Sequence, residues 1–168
     1  MRPPRRPHIE AAGALAAVAP LATRWIERLL AAHEPPLTIA QYLALRAIAG
    51  GQASSAALAR GAGVSGPAVS QLVAGLADAG LIERRPAADD RRRQTLTLTA
   101  AGKRAYGSAE KLLQDRVASL LADLPGPEAD ALSHLLQRVE ATLAGRPPPR
   151  RPPPPPPPRP PKHPGAGP

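Results

Sequence analysis

The chain has 168 residues, a net charge of +9 and no cysteine, which allows one ordinary domain and excludes disulfides and thiolate metal sites. Eight cations lie in the two ends, 1–8 and 146–168, whereas residues 9–145 hold fourteen cations and all thirteen acids, a net of +1. Any nucleic-acid binding must therefore depend on where the central basic residues cluster, and not on the total charge.

Composition divides the chain into one folded domain and two tails. Residues 1–8 are basic and residues 146–168 are rich in Pro and Arg, so neither segment can bury enough apolar surface to offset its ordering entropy. We predict disorder in both tails, with polyproline II in the second, and a folded domain at 9–145. No stretch was expected to reach the roughly 20 apolar residues that span a bilayer, which predicts a soluble cytoplasmic protein without a membrane partner.

Residues 9–34 have the pattern of an amphipathic helix that needs a partner helix. The apolar residues that recur at three- and four-residue spacing are Leu15, Val18, Ala22, Trp25 and Leu29. Pro20 lies inside this stretch and is predicted to kink or split the helix. Thr38 is a predicted N-cap for a second helix that runs to about Ile48.

Two short helices and a tight turn follow. Ser54 or Ser55 can cap the first helix, and the turn reads Gly-Ala-Gly-Val at 61–64. Ser65 is a predicted cap for a helix to about Ala79, and Pro67 is tolerated in its first turn. The predicted buried stripe of this helix is Val69, Leu72, Val73 and Leu76, and the predicted outer face is Gly66, Pro67, Ser70, Gln71 and Ala74.

The periodicity then changes to that of a β-hairpin. Residues 81–85 and 94–99 are strand-like, and the loop 86–93 between them is polar and charged. Thr99 is a predicted cap for a long helix that runs to Leu124. A final helix is predicted from Glu128 to about Ala144, and both helices have one apolar face. Two helices, a glycine-containing turn and a hairpin form the winged helix-turn-helix layout, so the predicted fold is mainly α with a small β-hairpin wing and a helical dimerisation region.

The hairpin wing, strands and loop together, holds the densest basic cluster of residues 9–145. Its cations are Arg84, Arg85, Arg91, Arg92 and Arg93. Arginine suits a narrow minor groove, where the electrostatic potential is most negative. Asp90 can pair with a neighbouring arginine and orient it. The outer face of the preceding helix is small and hydrogen-bonding, as a surface laid into a major groove requires, and Gln71 can read adenine.

The segment VSGPAVSQLVAGLADAGLIERRPAADDRRRQTLTLTAAG resembles the recognition helix, wing and following helix start of MarR-family regulators. The resemblance implies a homodimer that regulates transcription, as a repressor, from a pseudo-palindromic operator in double-stranded DNA. It places Ser65, Pro67, Ser70 and Gln71 at the major groove, with Asp90 and the neighbouring arginines at the wing tip. Gln71 stands where the family often has Arg.

The resemblance also implies a small aromatic effector, bound between the DNA-binding lobe at about 38–99 and dimerisation helices at about 9–34 and 110–144. Residues that could line such a site are Trp25, His33, Tyr42 and Tyr106, although each could equally be a core or interface side chain. The four histidines are widely separated and predict no metal site. No catalytic or cofactor motif is found, which predicts neither an enzyme nor a cofactor.

An alternative function is that of an interaction or scaffold protein. Here the proline-rich tail would dock into the aromatic groove of a partner, and DNA binding would be incidental.

Overall fold

The computed structural model describes residues 6–51, 54, 58, 66–86 and 94–144. Its helices and strands are α1 (Arg6–Ala31), α2 (Ile39–Ala49), α3 (Gly66–Asp78), β1 (Ile82–Pro86), β2 (Gln94–Leu98), α4 (Ala100–Leu120) and α5 (Gly126–Ala144). The described part of the chain is thus mainly helical with one antiparallel hairpin, which confirms the predicted fold class. The predicted turn at 61–64 and the hairpin loop tip lie outside the described residues.

The first helix is one continuous helix that contains Pro20, so the prediction that this residue could split it is wrong. Only Leu30 is buried, and the exposed surface includes every residue from 6 to 21. The helix is also long and apolar enough to cross a membrane, which corrects the expectation that no such stretch exists. Its C-terminal part nevertheless packs on α2 and α4, where Ile26 and Leu29 reach the core.

The second helix begins at a capping box. Thr38 Oγ1 accepts a hydrogen bond from the Gln41 backbone N–H at 3.1 Å, and the Thr38 N–H donates to Gln41 Oε1 at 2.9 Å. This confirms the predicted N-cap. The helix buries Tyr42, Leu45 and Ile48 and thereby forms the centre of the core between the other elements.

The third helix packs through the stripe expected from the sequence. Val69, Val73 and Leu76 are buried, and Leu72 packs partly against the same core. Leu58, which precedes α3 in the chain, is fully buried, and its N–H donates to the Ser54 carbonyl at 3.0 Å. Leu58 and the stripe of α3 therefore belong to the same core.

The third helix ends in a Schellman turn. The Gly80 N–H donates to the Ala77 carbonyl and the Leu81 N–H donates to the Leu76 carbonyl, both at 2.9 Å. Gly80 has φ +69, a left-handed conformation that is open to glycine at little cost. Leu81 and Leu76 are both buried, as the apolar contact of this turn requires. The turn thus connects α3 directly to β1.

The hairpin has one apolar and one polar face. Its register pairs Ile82 with Leu98, and Glu83 with Thr97. Since side chains alternate along a strand, Ile82, Leu96 and Leu98 share the face that packs on the core. The Leu-Thr alternation expected from the sequence is confirmed, and the threonines lie on the other face with Glu83.

The start of α4 is fastened to the end of α3. Thr99 caps α4 by accepting a hydrogen bond from the Gly102 N–H at 3.0 Å, while its own N–H donates to the Leu81 carbonyl at 3.1 Å. The Thr99 hydroxyl donates to the Gly80 carbonyl at 2.7 Å. A Cβ at Gly102 would lie 1.8 Å from the Leu81 carbonyl oxygen, so only glycine fits at this crossing.

The two C-terminal helices differ slightly from their predicted bounds. The fourth helix ends at Leu120 rather than Leu124, and the fifth begins at Gly126 rather than Glu128. The fifth helix carries its expected apolar stripe in exposed positions: Leu135, Leu136, Val139 and Leu143. These side chains have no cover within the described part of one chain.

Gly102→Ala is expected to destabilise the fold by at least about 2 kcal/mol, because the new methyl group must push two backbone segments apart. Gly107→Ala is the matched control on the same helix, since a Cβ there meets nothing within 4 Å. The control should be neutral or stabilising by up to about 1 kcal/mol, through helix propensity. Urea denaturation of the three proteins measures the difference. Equal free energies of unfolding for the two variants would contradict the close approach.

Candidate nucleic-acid interface

The outer face of α3 is the surface that the sequence assigns to DNA. Pro67, Ser70 and Gln71 are exposed and lie opposite the buried stripe of the helix. Ala74 is half-buried beside them, so no large side chain projects from this part of the surface. Ser65 lies outside the described residues. A helix with short, hydrogen-bonding side chains along an exposed face can approach the base edges of a major groove closely.

The base of the wing holds two exposed arginines on opposite faces of β1. The Arg85 guanidinium lies 2.7 Å from Glu83 Oε1, and the same oxygen accepts a hydrogen bond from Thr97 Oγ1 at 3.2 Å. Glu83 therefore holds Arg85 in a defined direction. Arg84 is exposed on the face that also carries Leu96.

Sequence reasoning missed this role of Glu83 and gave the positioning of arginine to Asp90. The signal was present, because residues two apart on a strand share a face and Thr97 pairs with Glu83 across the hairpin. Asp90, Arg91, Arg92 and Arg93 lie outside the described residues, so their placement at the wing tip stays a prediction.

The position of α3, the proposed reading helix, is fixed relative to the hairpin wing. The third helix passes into β1 through Gly80 and Leu81, and β2 returns to Thr99, which bonds to both of those residues. The exposed face of α3 and the arginines of β1 thus belong to one rigid unit. This is the geometry of a winged helix whose helix and wing contact one duplex.

Comparison with known proteins agrees with this geometry. Residues 36–93 match the sequence model of the MarR family. The fold is similar to that of a mutant of MarR from E. coli, with TM-score 0.65, 24% identity, and coverage of 76% of this chain and 94% of that chain. The chain therefore resembles MarR-family regulators, in the sequence of its central segment and in its fold. Proteins of this family are DNA-binding transcription regulators, and the chain has the winged-helix fold of such a regulator.

Two further solved structures are similar. A MarR-family protein of Mycobacterium tuberculosis in complex with p-aminosalicylic acid has TM-score 0.63 and 27% identity, with coverage of 76% of this chain and 96% of that chain. The transcriptional regulator BldR from Sulfolobus solfataricus has TM-score 0.64 and 22% identity, with coverage of 77% and 94%, and supports the fold alone. No curated protein sequence matches the chain.

A polar cluster joins the winged lobe to α4. The Tyr42 hydroxyl donates to Glu110 Oε2 at 2.5 Å, and the Tyr42 and Tyr106 rings lie 6.1 Å apart between centroids with an interplanar angle of 34°. His33 contacts the Ser108 hydroxyl at 2.8 Å through Nε2 and the Pro35 carbonyl at 2.8 Å through Nδ1. Three of the four predicted effector residues therefore lie along the α2 and α4 packing.

Trp25, the fourth predicted effector residue, lies half-buried on α1, two helical turns before His33. Sequence reasoning missed Ser108 and Glu110, which supply the polar partners of His33 and Tyr42. Those contacts join residues 75 and 68 positions apart, and no local pattern indicates them. Among the described residues, no group of three metal-ligating side chains comes together.

Burial and Glu110 both keep the two phenols protonated. Burial raises the pKa of Tyr42 above its ordinary value, the hydrogen bond and the charge of Glu110 raise it further, and Arg46 acts in the opposite direction. Burial also raises the pKa of Tyr106, and the charge of Glu110 adds to this effect. Both rings therefore present neutral hydroxyl groups at neutral pH.

Tyr42→Phe is expected to cost about 1 to 2 kcal/mol at neutral pH, because the half-buried Glu110 loses a donor. The folded-state pKa of Tyr42 lies above the unfolded one, so the wild-type contribution is complete below pH ~10 and is lost as the pH rises beyond it. The free energies of unfolding of wild type and variant should therefore converge above pH ~10. Tyr106→Phe is the matched control and should show a smaller effect, since Tyr106 is less buried. Parallel stability curves for wild type and Tyr42→Phe would contradict the role given to this bond.

Proposed function

We propose that the chain represses transcription as a cytoplasmic homodimer, bound to a pseudo-palindromic operator and released by a small aromatic effector. The observation that carries the proposal is the rigid unit formed by the exposed face of α3 and the arginines of β1. Two-fold symmetry of the protein would demand half-sites about one helical turn apart, roughly 10 base pairs.

In this proposal the bases are read by α3. Gln71 hydrogen-bonds an adenine edge, and Pro67 allows close approach to the groove floor. Ser65 and Ser70 bind phosphates together with the N-terminal backbone amides of the helix. These contacts set the register of the recognition helix on the operator.

The wing enters the adjacent minor groove. Its proposed contacts are Arg84, Arg85, Asp90, Arg91, Arg92 and Arg93. Glu83 favours this arrangement, because an arginine that is already oriented loses less side-chain entropy on binding. The DNA-binding lobe would span about residues 38–99.

A second copy of the chain is the proposed cover for α1 and α5. Large apolar side chains are exposed on both: Ile9, Leu15, Val18, Leu21, Leu135, Leu136, Val139 and Leu143. An apolar surface of this extent is unusual on a monomer. Dimerisation through about 9–34 and 110–144 would bury this surface. The apolar character of α1 would then be explained by the dimer interface, and no membrane would be needed.

The effector is proposed to bind between α2 and α4, near Tyr42 and Tyr106. The Mycobacterium tuberculosis relative in complex with p-aminosalicylic acid supports an aromatic ligand. A ligand that enters here must replace the hydrogen bond from Tyr42 to Glu110. Trp25 and His33 would line the α1 side of this site.

Leu136→Glu is expected to convert the dimer into monomers or aggregates, because two buried carboxylates would face an apolar interface. Sedimentation velocity over a range of concentrations measures this change. Gln137→Glu, with the same added charge one residue along α5, is the matched control and should remain dimeric. A wild-type chain that sediments as a well-folded monomer and still binds DNA would contradict the proposed dimer.

Gln71→Ala should cost on the order of 1–3 kcal/mol on an operator selected from random duplexes, and it should relax preference at one base pair. Non-specific affinity should change little. Arg91→Ala and Arg92→Ala should weaken binding to all duplexes, with a salt dependence that is shallower by about one unit of slope per lost phosphate contact.

Arg104→Ala is the matched control for the wing variants, since it removes an exposed arginine of α4 that lies outside the wing and outside the proposed dimerisation regions. It should leave affinity and salt slope on the selected operator unchanged. Wing variants that behave like this control would show that the wing does not contact DNA.

A further inference from the structure

The excess charge of the chain lies outside its folded domain. Residues 146–168 hold five cations and no acid, whereas residues 9–145 have a net charge of only +1. The fifth helix ends at Ala144, so this cationic tail begins two residues beyond the last helix. A folded domain with so little net charge obtains weak long-range attraction to DNA from its own residues.

One ion pair shows where the tail leaves the domain. Arg46 Nη2, near the end of α2, lies 3.6 Å from Glu140 Oε1, near the end of α5. Both side chains are largely exposed, so the pair contributes little to stability, but it records that the two helix ends are neighbours. The chain beyond α2 leads into α3. The end of α5, after which the tail begins, therefore lies near the end of α2 in the winged lobe.

We propose that the tail, residues 146–168, binds the duplex that flanks the operator through contacts with phosphates. This inference rests on the proposed function, since α3 and the wing must first place the domain on DNA. Guanidinium groups match phosphate oxygens bidentately, and the tail has no carboxylate that could compete. Its many prolines have little backbone freedom to lose on binding, which lowers the entropic cost.

The composition of the tail favours contacts with phosphates over contacts with bases. It contains no Asn, Gln, Ser or Thr, so the only side chains it offers that commonly bond to base edges are its cations, and these bind phosphates in any sequence. The tail is therefore expected to strengthen attachment with little sequence discrimination. A fully extended chain covers about 3.3 Å per residue, so the tail reaches at most about 75 Å, or roughly 22 base pairs.

The test replaces the five cations in the full chain by glutamine: R146Q, R150Q, R151Q, R159Q and K162Q. Affinity is measured against salt concentration on a selected operator in a duplex that ends at the operator, and in one with roughly 20 base pairs on each side. On the longer duplex the variant should bind at least about tenfold more weakly at low salt. Its log–log salt slope should be shallower by up to about 4.5 per chain.

On the short duplex the variant and the wild type should differ much less, and flanks beyond roughly 22 base pairs should add nothing. A matched control keeps the five cations and replaces five prolines of 152–158 by serine; it should retain the wild-type salt slope. Retained operator preference with an unchanged salt slope in the glutamine variant overturns this proposal alone. A wild-type chain without any operator preference overturns the proposed function as well.

Discussion

The approach of α4 to the carbonyl of Leu81 is the constraint on which the rest of the structure depends. At this crossing a Cβ on residue 102 would lie 1.8 Å from the oxygen, so two backbones touch without a side chain between them. The hydrogen bonds of Thr99 close the same joint from the other side. The third helix, the hairpin and α4 therefore meet within a few residues. None of the three can rotate without moving the other two.

The second helix braces this joint from the core side. Its capping box fixes where it begins, and the bond from Tyr42 to Glu110 ties it to the middle of α4. A molecule bound between α2 and α4 would act on both supports of the winged lobe at once. Under the proposed function, a small displacement there changes the spacing of two reading helices in a dimer, because the joint transmits it without bending.

Local patterns predicted much of this fold. The cap at Thr38, the stripe of α3 and the alternation of the second strand each depend on neighbouring residues, and all three are confirmed. The expected split at Pro20 was wrong, because the remaining helical hydrogen bonds can hold a helix through one missing donor. The partners of Tyr42 and His33 were out of reach, because tertiary packing alone brings residues so distant in sequence together.

The exposed apolar faces of α1 and α5 stand at opposite ends of the domain sequence. During synthesis the first helix leaves the ribosome with residues 6–21 uncovered, and the last helix follows only after the winged lobe is complete. If a second copy supplies the cover, folding stability depends on how much of the protein is already present. A newly synthesised subunit would be most exposed to proteases when few other copies of the protein are present in the cell. The concentration of the protein would then set its lifetime.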